Sequence, residues 1–183
     1  TRQIGIDAGH RVMTHGSKCR HIHGHRYTIE ATCQAREARL HDAGEQTDMV
    51  IDFSFLKDEM TRHIDEPCDH GFIASSSDLE LLQMFCPSGA QFEDWHRSIV
   101  TEVDQTGYCT TIDTKLATKL YVLSNQTTAE CLAAHWFHRL REPVVQRSEG
   151  VATLVRIRVW ETPNCHADYV KPSSAMIDEV PGR

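Results

Sequence analysis

The sequence predicts an α+β domain with an antiparallel sheet, and two observations lead to this prediction. Segments near both ends of the chain alternate along their length with the period of two that is typical of β-strands. Between them, two segments repeat apolar residues at the three- and four-residue spacing of amphipathic helices. This order of elements favours the α+β class.

Two strands are predicted near the start of the chain. One face of the first strand carries Ile4, Ile6, Ala8 and His10. One face of the second carries His23, His25, Tyr27, Ile29, Ala31 and Cys33. Because residues two apart in a strand share a face, both strands present histidine on a defined face.

A third, short strand is predicted over 48–53, the run DMVIDF. The helix predicted after it has Phe53, Leu56, Met60 and Ile64 at helical spacing and extends up to Pro67. A second helix is predicted from TTAECLAAHWFHRL, in which Thr127 and Glu130 have the spacing of a capping box. Its apolar face consists of Leu132, Trp136, Phe137 and Leu140.

The closing strand is predicted to end before Pro163. One face of it consists of Val151, Thr153, Val155, Ile157 and Val159. The region 71–126 is interpreted as an insertion within a single domain that covers 1–183. It contains an apolar run at 79–85 and a possible strand at 119–123, and we expect part of it to be ordered because long structureless loops are uncommon in compact domains.

Composition limits the classes of function. A chain of 183 residues that is 40% hydrophobic and 25% charged is typical of one globular domain. No apolar run approaches the roughly 20 residues of a membrane span and no secretory leader is recognised, so we expect a cytoplasmic protein without a membrane partner. The seven cysteines never form CxxC, which indicates reduced thiols. The net charge of -7 argues against nucleic-acid binding.

The stretch KCRHIHGHRY is the strongest functional signal. His23 and His25 can bind one ion from the same face of a strand, and His10 is the best third ligand if the first two strands pair. An isolated HxH is otherwise an ordinary polar strand edge. His21 is a weaker candidate, as a ligand or as a group that supports one.

Two further groups have chemical potential and an ordinary alternative. Cys19 could be a fourth metal ligand, which would close the site, or an acid/base group whose pKa is lowered by the metal and by Lys18 and Arg20. Asp69 and His70 could be a carboxylate that orients an imidazole, or a polar turn at the end of a helix.

Taken together, DAGHR, CRHIHGHRY, MVIDFSFLK, CDHGFI, TTAECLA and VWETPNCHADY resemble, in this order, the family of 6-pyruvoyl-tetrahydropterin synthases and 6-carboxytetrahydropterin synthases. The resemblance covers about 4–73 and 120–170. It implies the tunnelling fold, in which a four-stranded antiparallel sheet with two helices on one face oligomerises into a barrel. It also implies a homo-oligomer, most simply a hexamer built from two trimers.

The resemblance implies a role for each matched residue. The zinc (Zn2+) ligands would be His10, His23 and His25, and the catalytic residues Cys19, Asp69 and His70. Glu161 would anchor the pterin, although a solvated glutamate at a strand end is the ordinary alternative. Thr128 and Glu130 match an element at the edge of the substrate site, where Thr127 replaces a proline, and Glu130 is also a candidate helix cap.

The cysteine lies three residues from the HGH triplet, as in the bacterial carboxy enzymes of queuosine and 7-deazaguanine biosynthesis. The implied reaction converts 7,8-dihydroneopterin triphosphate to 6-carboxy-5,6,7,8-tetrahydropterin, with release of acetaldehyde and triphosphate. The candidates to bind the triphosphate are zinc itself together with Lys18, Arg20 or Arg26. The alternatives are a 6-pyruvoyl-tetrahydropterin synthase and a non-catalytic, zinc-stabilised binding protein.

Overall fold

The computed structural model of the protein describes residues 1–172. Its strands are β1 (Arg2–His10), β2 (His23–Ala35), β3 (Gly71–Ser75), β4 (Cys109–Thr111), β5 (Leu120–Leu123), β6 (Ala152–Thr162) and β7 (Cys165–Val170). Its helices are α1 (Phe53–Met60), α2 (Glu66–Cys68), α3 (Leu79–Phe85), α4 (Phe92–Thr106) and α5 (Ala129–Arg147). None of the helices within 1–172 combines the length and the apolar character that a bilayer crossing requires.

The strands form one mixed sheet of seven strands, in the order β4-β5-β3-β1-β2-β6-β7. The α+β class is therefore confirmed, whereas the predicted size of the sheet, four strands, is wrong. The antiparallel group β1-β2-β6-β7 is only part of the sheet, because β3 and β5 continue it in parallel fashion beyond β1. These two strands come from the region interpreted as an insertion, so this region is an ordered extension of the sheet.

The prediction of two helices on one face of the sheet is confirmed for the antiparallel half. The core there joins the α1–α2 region and α5 to inward residues of the sheet such as Ile6, Ile29 and Ile157. The extension has a second core, in which α3 and α4 pack on Phe72, Ala74 and neighbouring residues. Since Ile73 belongs to the first core, β3 is buried on both faces, as the apolar strands of parallel sheets are.

The predicted strand over 48–53 is wrong. Ile51 is buried in the core, but the backbone N–H of Asp52 donates to the Gln46 side chain at 2.9 Å and does not enter a ladder. The Asp52 carboxylate then accepts from the Ser54 N–H at 2.5 Å and caps α1. The apolar residues of this run therefore reflect burial in a loop, which periodicity cannot distinguish from a short strand.

The first helix extends past its predicted end. After α1 the chain passes through a π-helical segment, Thr61–Asp65, and Pro67 lies inside the last turn, α2. Pro67 has no N–H to donate, so a widened turn before it tolerates the missing bond. Leu56, Met60 and Ile64 are fully buried as predicted, whereas the Phe53 side chain is exposed.

The start of α5 differs by one residue from the predicted capping box. The N-cap is Thr128, whose hydroxyl accepts from the Cys131 N–H at 3.4 Å. Thr127 is instead fully buried, and its hydroxyl donates to the carbonyl of Arg11 at 2.9 Å. A Thr-Thr pair offers two caps of equal local propensity, and the contact of Thr127 with the first loop selects Thr128.

The face predicted for the closing strand is correct only in its second half. Ile157 and Val159 point into the core, but Ala152 and Leu154, from the opposite parity, are buried before them. The pairing of β2 with β6 shifts register between Thr32 and Cys33, which leaves Val155 as an extra residue. A β-bulge of this kind reverses which residues face the core.

Candidate active site

Three histidines meet where β1 ends and β2 begins. The two strands pair so that His10 is opposite His23 and Ala8 is opposite His25. The strand period directs all three imidazoles to the inner face, where one nitrogen from each lies within 4.8 Å of the others. The predicted juxtaposition of His10, His23 and His25 is therefore present in the structure.

The hydrogen bonds of two of these histidines define their tautomers. Nδ1–H of His10 donates to the carbonyl of Thr127 at 2.9 Å, and Nδ1–H of His23 donates to the carbonyl of His21 at 2.7 Å. Each Nε2 therefore carries a lone pair, and these two atoms lie 3.1 Å apart. Two lone pairs facing each other at this distance are favourable when the nitrogens share a cation, which can be a proton or a metal ion.

Two of the three rings, those of His10 and His25, are poor proton acceptors. Burial, followed by repulsion from His23 and His25, lowers the pKa of His10 to about 4. Burial also lowers the pKa of His25. Neutral imidazole is the form that binds a metal ion, and three imidazole nitrogens with an open fourth position suit zinc.

Cys19 lies on a 3-10 turn, Lys18–Arg20, in the loop between β1 and β2. Its carbonyl accepts from the Val12 N–H at 2.8 Å, which ties this turn to the end of β1. Within residues 1–172, the group of metal-ligating atoms around His10 does not include the thiol. Three nitrogens are thus grouped within the described residues, and the half-buried thiol of Cys19 lies outside that group.

Glu161 lies at a bulge in the pairing of β6 with β7, two positions after Val159, which is buried in the core. Burial raises the pKa of its carboxyl group, the negative charge of Glu130 raises it further, and His23 opposes the shift. Glu161, Glu130 and His23 are thus close enough to interact electrostatically. Glu130 itself is exposed in the first turn of α5, after its N-cap Thr128.

Tyr27 and Thr127 belong to this region, although the sequence did not single them out as site residues. The Tyr27 ring is fully buried, with its centroid 5.8 Å from that of His10 and 5.4 Å from that of His25. Its hydroxyl has no hydrogen-bond partner within residues 1–172. The shared parity of His23, His25 and Tyr27 could have identified it, whereas the contact of Thr127 with His10 has no local signal.

Asp69 and His70 form the predicted pair, but not beside the histidine cluster. Nδ1 of His70 lies 2.7 Å from the Asp69 carboxylate, whose other oxygen accepts from the Asp7 N–H at 2.8 Å. Asp7 alternates with Ala8 and His10 along β1 and so points to the opposite face of the sheet. The pair and the cluster are therefore separate groups in one chain.

The electrostatics of Asp69 keep it ionised. Desolvation raises its pKa, but the bond from Asp7 N–H, the bond from His70 and the charge of Lys119 outweigh this effect and lower the pKa below its usual value. The carboxylate can therefore orient the His70 imidazole, which is 79% exposed. This geometry suits a proton relay that a substrate reaches from outside the chain.

The remaining predicted groups surround the two sites. The ring of His21 is exposed, and its carbonyl supports His23. Among the cations, Arg26 pairs with Asp7 on the outer face, while Lys18 and Arg20 are exposed on the turn that holds Cys19.

Comparison with known sequences places these features in context. Residues 1–172 match the profile of a family described as 6-pyruvoyl tetrahydropterin synthase. The chain is 30% identical over 168 residues to a 6-carboxy-5,6,7,8-tetrahydropterin synthase from Rickettsia bellii, with 92% of this chain and 96% of the relative covered. A protein of the same name from Haemophilus influenzae is 26% identical, with the same shares covered. The alignments thus include most of the middle region.

Solved structures are similar in fold. An uncharacterized protein from Wolinella succinogenes matches with a TM-score of 0.66 and 19% identity, covering 93% of this chain and 96% of that chain. The 6-pyruvoyl tetrahydropterin synthase of Caenorhabditis elegans matches with a TM-score of 0.51 and 18% identity, covering 93% of each chain.

Proposed function

Because the chain belongs to the 6-pyruvoyl tetrahydropterin synthase family, we propose that it is a zinc-dependent 6-carboxy-5,6,7,8-tetrahydropterin synthase. In this proposal it converts 7,8-dihydroneopterin triphosphate and one water molecule to 6-carboxytetrahydropterin, acetaldehyde and triphosphate. The observation that carries the proposal is the pair of facing Nε2 lone pairs of His10 and His23, 3.1 Å apart, which calls for a shared cation. The names of the relatives support the carboxy product.

Each site residue has a role that fits its surroundings. His10, His23 and His25 would hold zinc, which when bound supplies a Lewis acid for the hydroxyl groups of the substrate side chain. Cys19 would act as the general base that removes a proton from that side chain. His70 would relay the proton, with its ring oriented by Asp69 at 2.7 Å.

The pterin ring would be bound at Glu161. A carboxylate accepts two parallel N–H bonds, and the 2-amino and ring N–H groups of a pterin offer such a pair. The partly buried position of Glu161 strengthens these bonds because little water competes for the carboxylate. Thr128 and Glu130 would lie at the edge of this pocket, at the start of α5.

The separation of the two groups supports a homo-oligomer. The histidine cluster faces inward and the Asp69–His70 pair lies beside Asp7, so a reaction that uses both needs a second chain. Two edges among the described strands are available for such contacts. The first part of β1 has no partner on the side of β3, because these two strands pair only at Ala8 and Gly9. The other edge is that of β7, the last strand of the sheet. A barrel of joined sheets, most simply in a hexamer of two trimers, would satisfy both requirements.

Product analysis tests the function directly. The purified zinc-loaded protein is incubated with 7,8-dihydroneopterin triphosphate, and the pterins are identified by mass spectrometry while acetaldehyde is measured with alcohol dehydrogenase. We expect 6-carboxytetrahydropterin and acetaldehyde in equal amounts. Triphosphate without acetaldehyde would instead indicate 6-pyruvoyl synthase activity. Binding of zinc and pterin without turnover would indicate a non-catalytic binding protein.

A further inference from the structure

Lys119 connects the middle region of the chain to the Asp69–His70 pair. It immediately precedes β5, and its ammonium group donates to the carbonyl of Glu66 at 2.7 Å and to that of Asp69 at 2.8 Å. A helix end leaves carbonyls such as that of Glu66 without partners inside the helix. A residue about fifty positions further along the chain thus caps α2 and holds the backbone of Asp69.

The turn that Lys119 holds is strained. His70 has a φ of 55°, in the left-handed region that residues with a side chain rarely adopt. Backbone strain of this type persists only where the surroundings enforce it. Besides Lys119, the contacts that enforce it are those of Asp7, whose carbonyl accepts from the His70 N–H at 2.8 Å and whose N–H bonds to Asp69.

The orientation of the His70 ring depends on this turn. Because the ring is 79% exposed, packing fixes it little, and its direction follows from its backbone and from the Asp69 carboxylate. Both of these are attached to the segment whose carbonyls Lys119 binds. A shift of the turn would therefore move the imidazole and its carboxylate partner together.

Lys119 is itself held in place by the chain around Gly71. A Cβ at position 71 would lie 3.1 Å from the carbonyl oxygens of Cys68 and Lys119 and 3.2 Å from Cδ of Lys119. The Lys119 carbonyl also accepts from the Phe72 N–H at 2.9 Å. Glycine at 71 thus allows the Lys119 stem to lie against the turn.

We propose that Lys119 is a positioning residue for the catalytic pair Asp69–His70, acting through the carbonyls of Glu66 and Asp69. This inference rests on the proposed function and deepens it. It gives the middle region a task in the reaction, since this region supplies the cation that fixes the proton relay. Lys119 acts on the pair by holding its backbone and does not touch the substrate.

The test compares kinetic constants of zinc-loaded variants. Lys119→Met keeps the length of the stem and removes the N–H donors. We expect kcat to fall by about ten- to a hundredfold, the effect of a displaced catalytic group, with KM and zinc content nearly unchanged. Lys119→Arg should regain most of kcat because it restores donors, and Lys115→Met, at an exposed position four residues earlier, should match the wild type.

A crystal structure of Lys119→Met separates this inference from the proposed function. We expect residue 70 to leave the left-handed region, or its Nδ1 to move out of hydrogen-bonding distance from Asp69. If the wild type has no turnover, the proposed function fails. The crystal structure of Lys119→Met then tests the inference by itself, and an unchanged turn at residue 70 overturns it. With an active wild type, an unchanged kcat, or a loss that Lys115→Met shares, also overturns it. If Lys119→Met does not fold, Lys119→Gln takes its place in both measurements.

Discussion

The ion pair between Arg11 and Asp78 gives a sharp prediction about stability. Arg11 follows the metal-ligand candidate His10, and its Nε and Nη2 donate to the two carboxylate oxygens of Asp78 at 2.6 and 2.5 Å. The Asp78 side chain is 3% exposed and that of Arg11 is 19% exposed. Asp78 also accepts from the Leu81 N–H as the N-cap of α3. This pair therefore joins the end of β1 to the extension of the sheet.

The substitution Asp78→Asn removes the charge and keeps the shape. Removal of one partner from a buried ion pair costs roughly 3–5 kcal/mol, since the other charge stays buried without compensation. Here Arg11 retains some exposure and a contact with the exposed Glu80 carboxylate at 3.6 Å, and the amide keeps one acceptor. We therefore expect a loss of about 2–3 kcal/mol in the free energy of unfolding.

Urea unfolding at pH 7 of the zinc-loaded proteins measures this loss, as a change in midpoint at constant slope. The matched control is Asp94→Asn, whose partner Arg97 lies 2.7 Å away on α4 with both side chains 71% exposed. An exposed pair of this kind contributes less than about 1 kcal/mol. A loss for Asp78→Asn no larger than that of the control would refute the reasoning. The double variant Arg11→Met/Asp78→Asn should recover most of the loss, because it leaves no buried charge unpaired and keeps a side-chain cap for α3.

Four further predictions concern the site. His25→Ala should lose both zinc and turnover, and full occupancy by elemental analysis would contradict the three-histidine site. Cys19→Ala should keep its zinc while kcat falls roughly a hundredfold or more, whereas zinc loss would indicate a fourth ligand. Glu161→Ala should weaken pterin binding by about 1–3 kcal/mol in calorimetry, with zinc and oligomer intact. The metal-free protein should lose stability on the order of 3 kcal/mol as pH falls from 6.5 to about 4. In this range the unfolded chain protonates His10 at its ordinary pKa, whereas the folded chain protonates it only near the lowered pKa of about 4. A His10→Asn variant should lack this part of the dependence of stability on pH.

Local pattern was enough to predict the candidate metal cluster. A strand fixes the face of every second residue, so the spacing of His23 and His25 defines a two-ligand pair without any tertiary information. The pairing of β1 with β2 then brings in His10, as expected for strands that follow each other along the chain. The buried faces of α1 and α5 were predicted for the same reason, apart from the exposed Phe53, since helical spacing decides which residues share a face.

The misassigned elements share a different cause. The run 48–53 and the first half of β6 carry apolar residues whose burial depends on what packs against them, and a bulge of one residue at Val155 reverses a face that periodicity would extend. Similarly, Thr127 and Thr128 have equal capping propensity, and the distant carbonyl of Arg11 decides between them.

The sequence by itself determined the candidate metal ligands His10, His23 and His25 and the buried faces of the main helices, because side-chain type and strand or helix period are properties of short segments. Only the tertiary structure decided that the region 71–126 extends the sheet, that Asp69 and His70 lie beside Asp7 and apart from the histidine cluster, and that Lys119 caps the turn that holds them. These are contacts between residues about fifty or more positions apart in the chain. Such contacts form when the burial and hydrogen bonding they gain exceed the entropy lost by closing the intervening loop. That balance depends on the whole fold and is not encoded in any short segment.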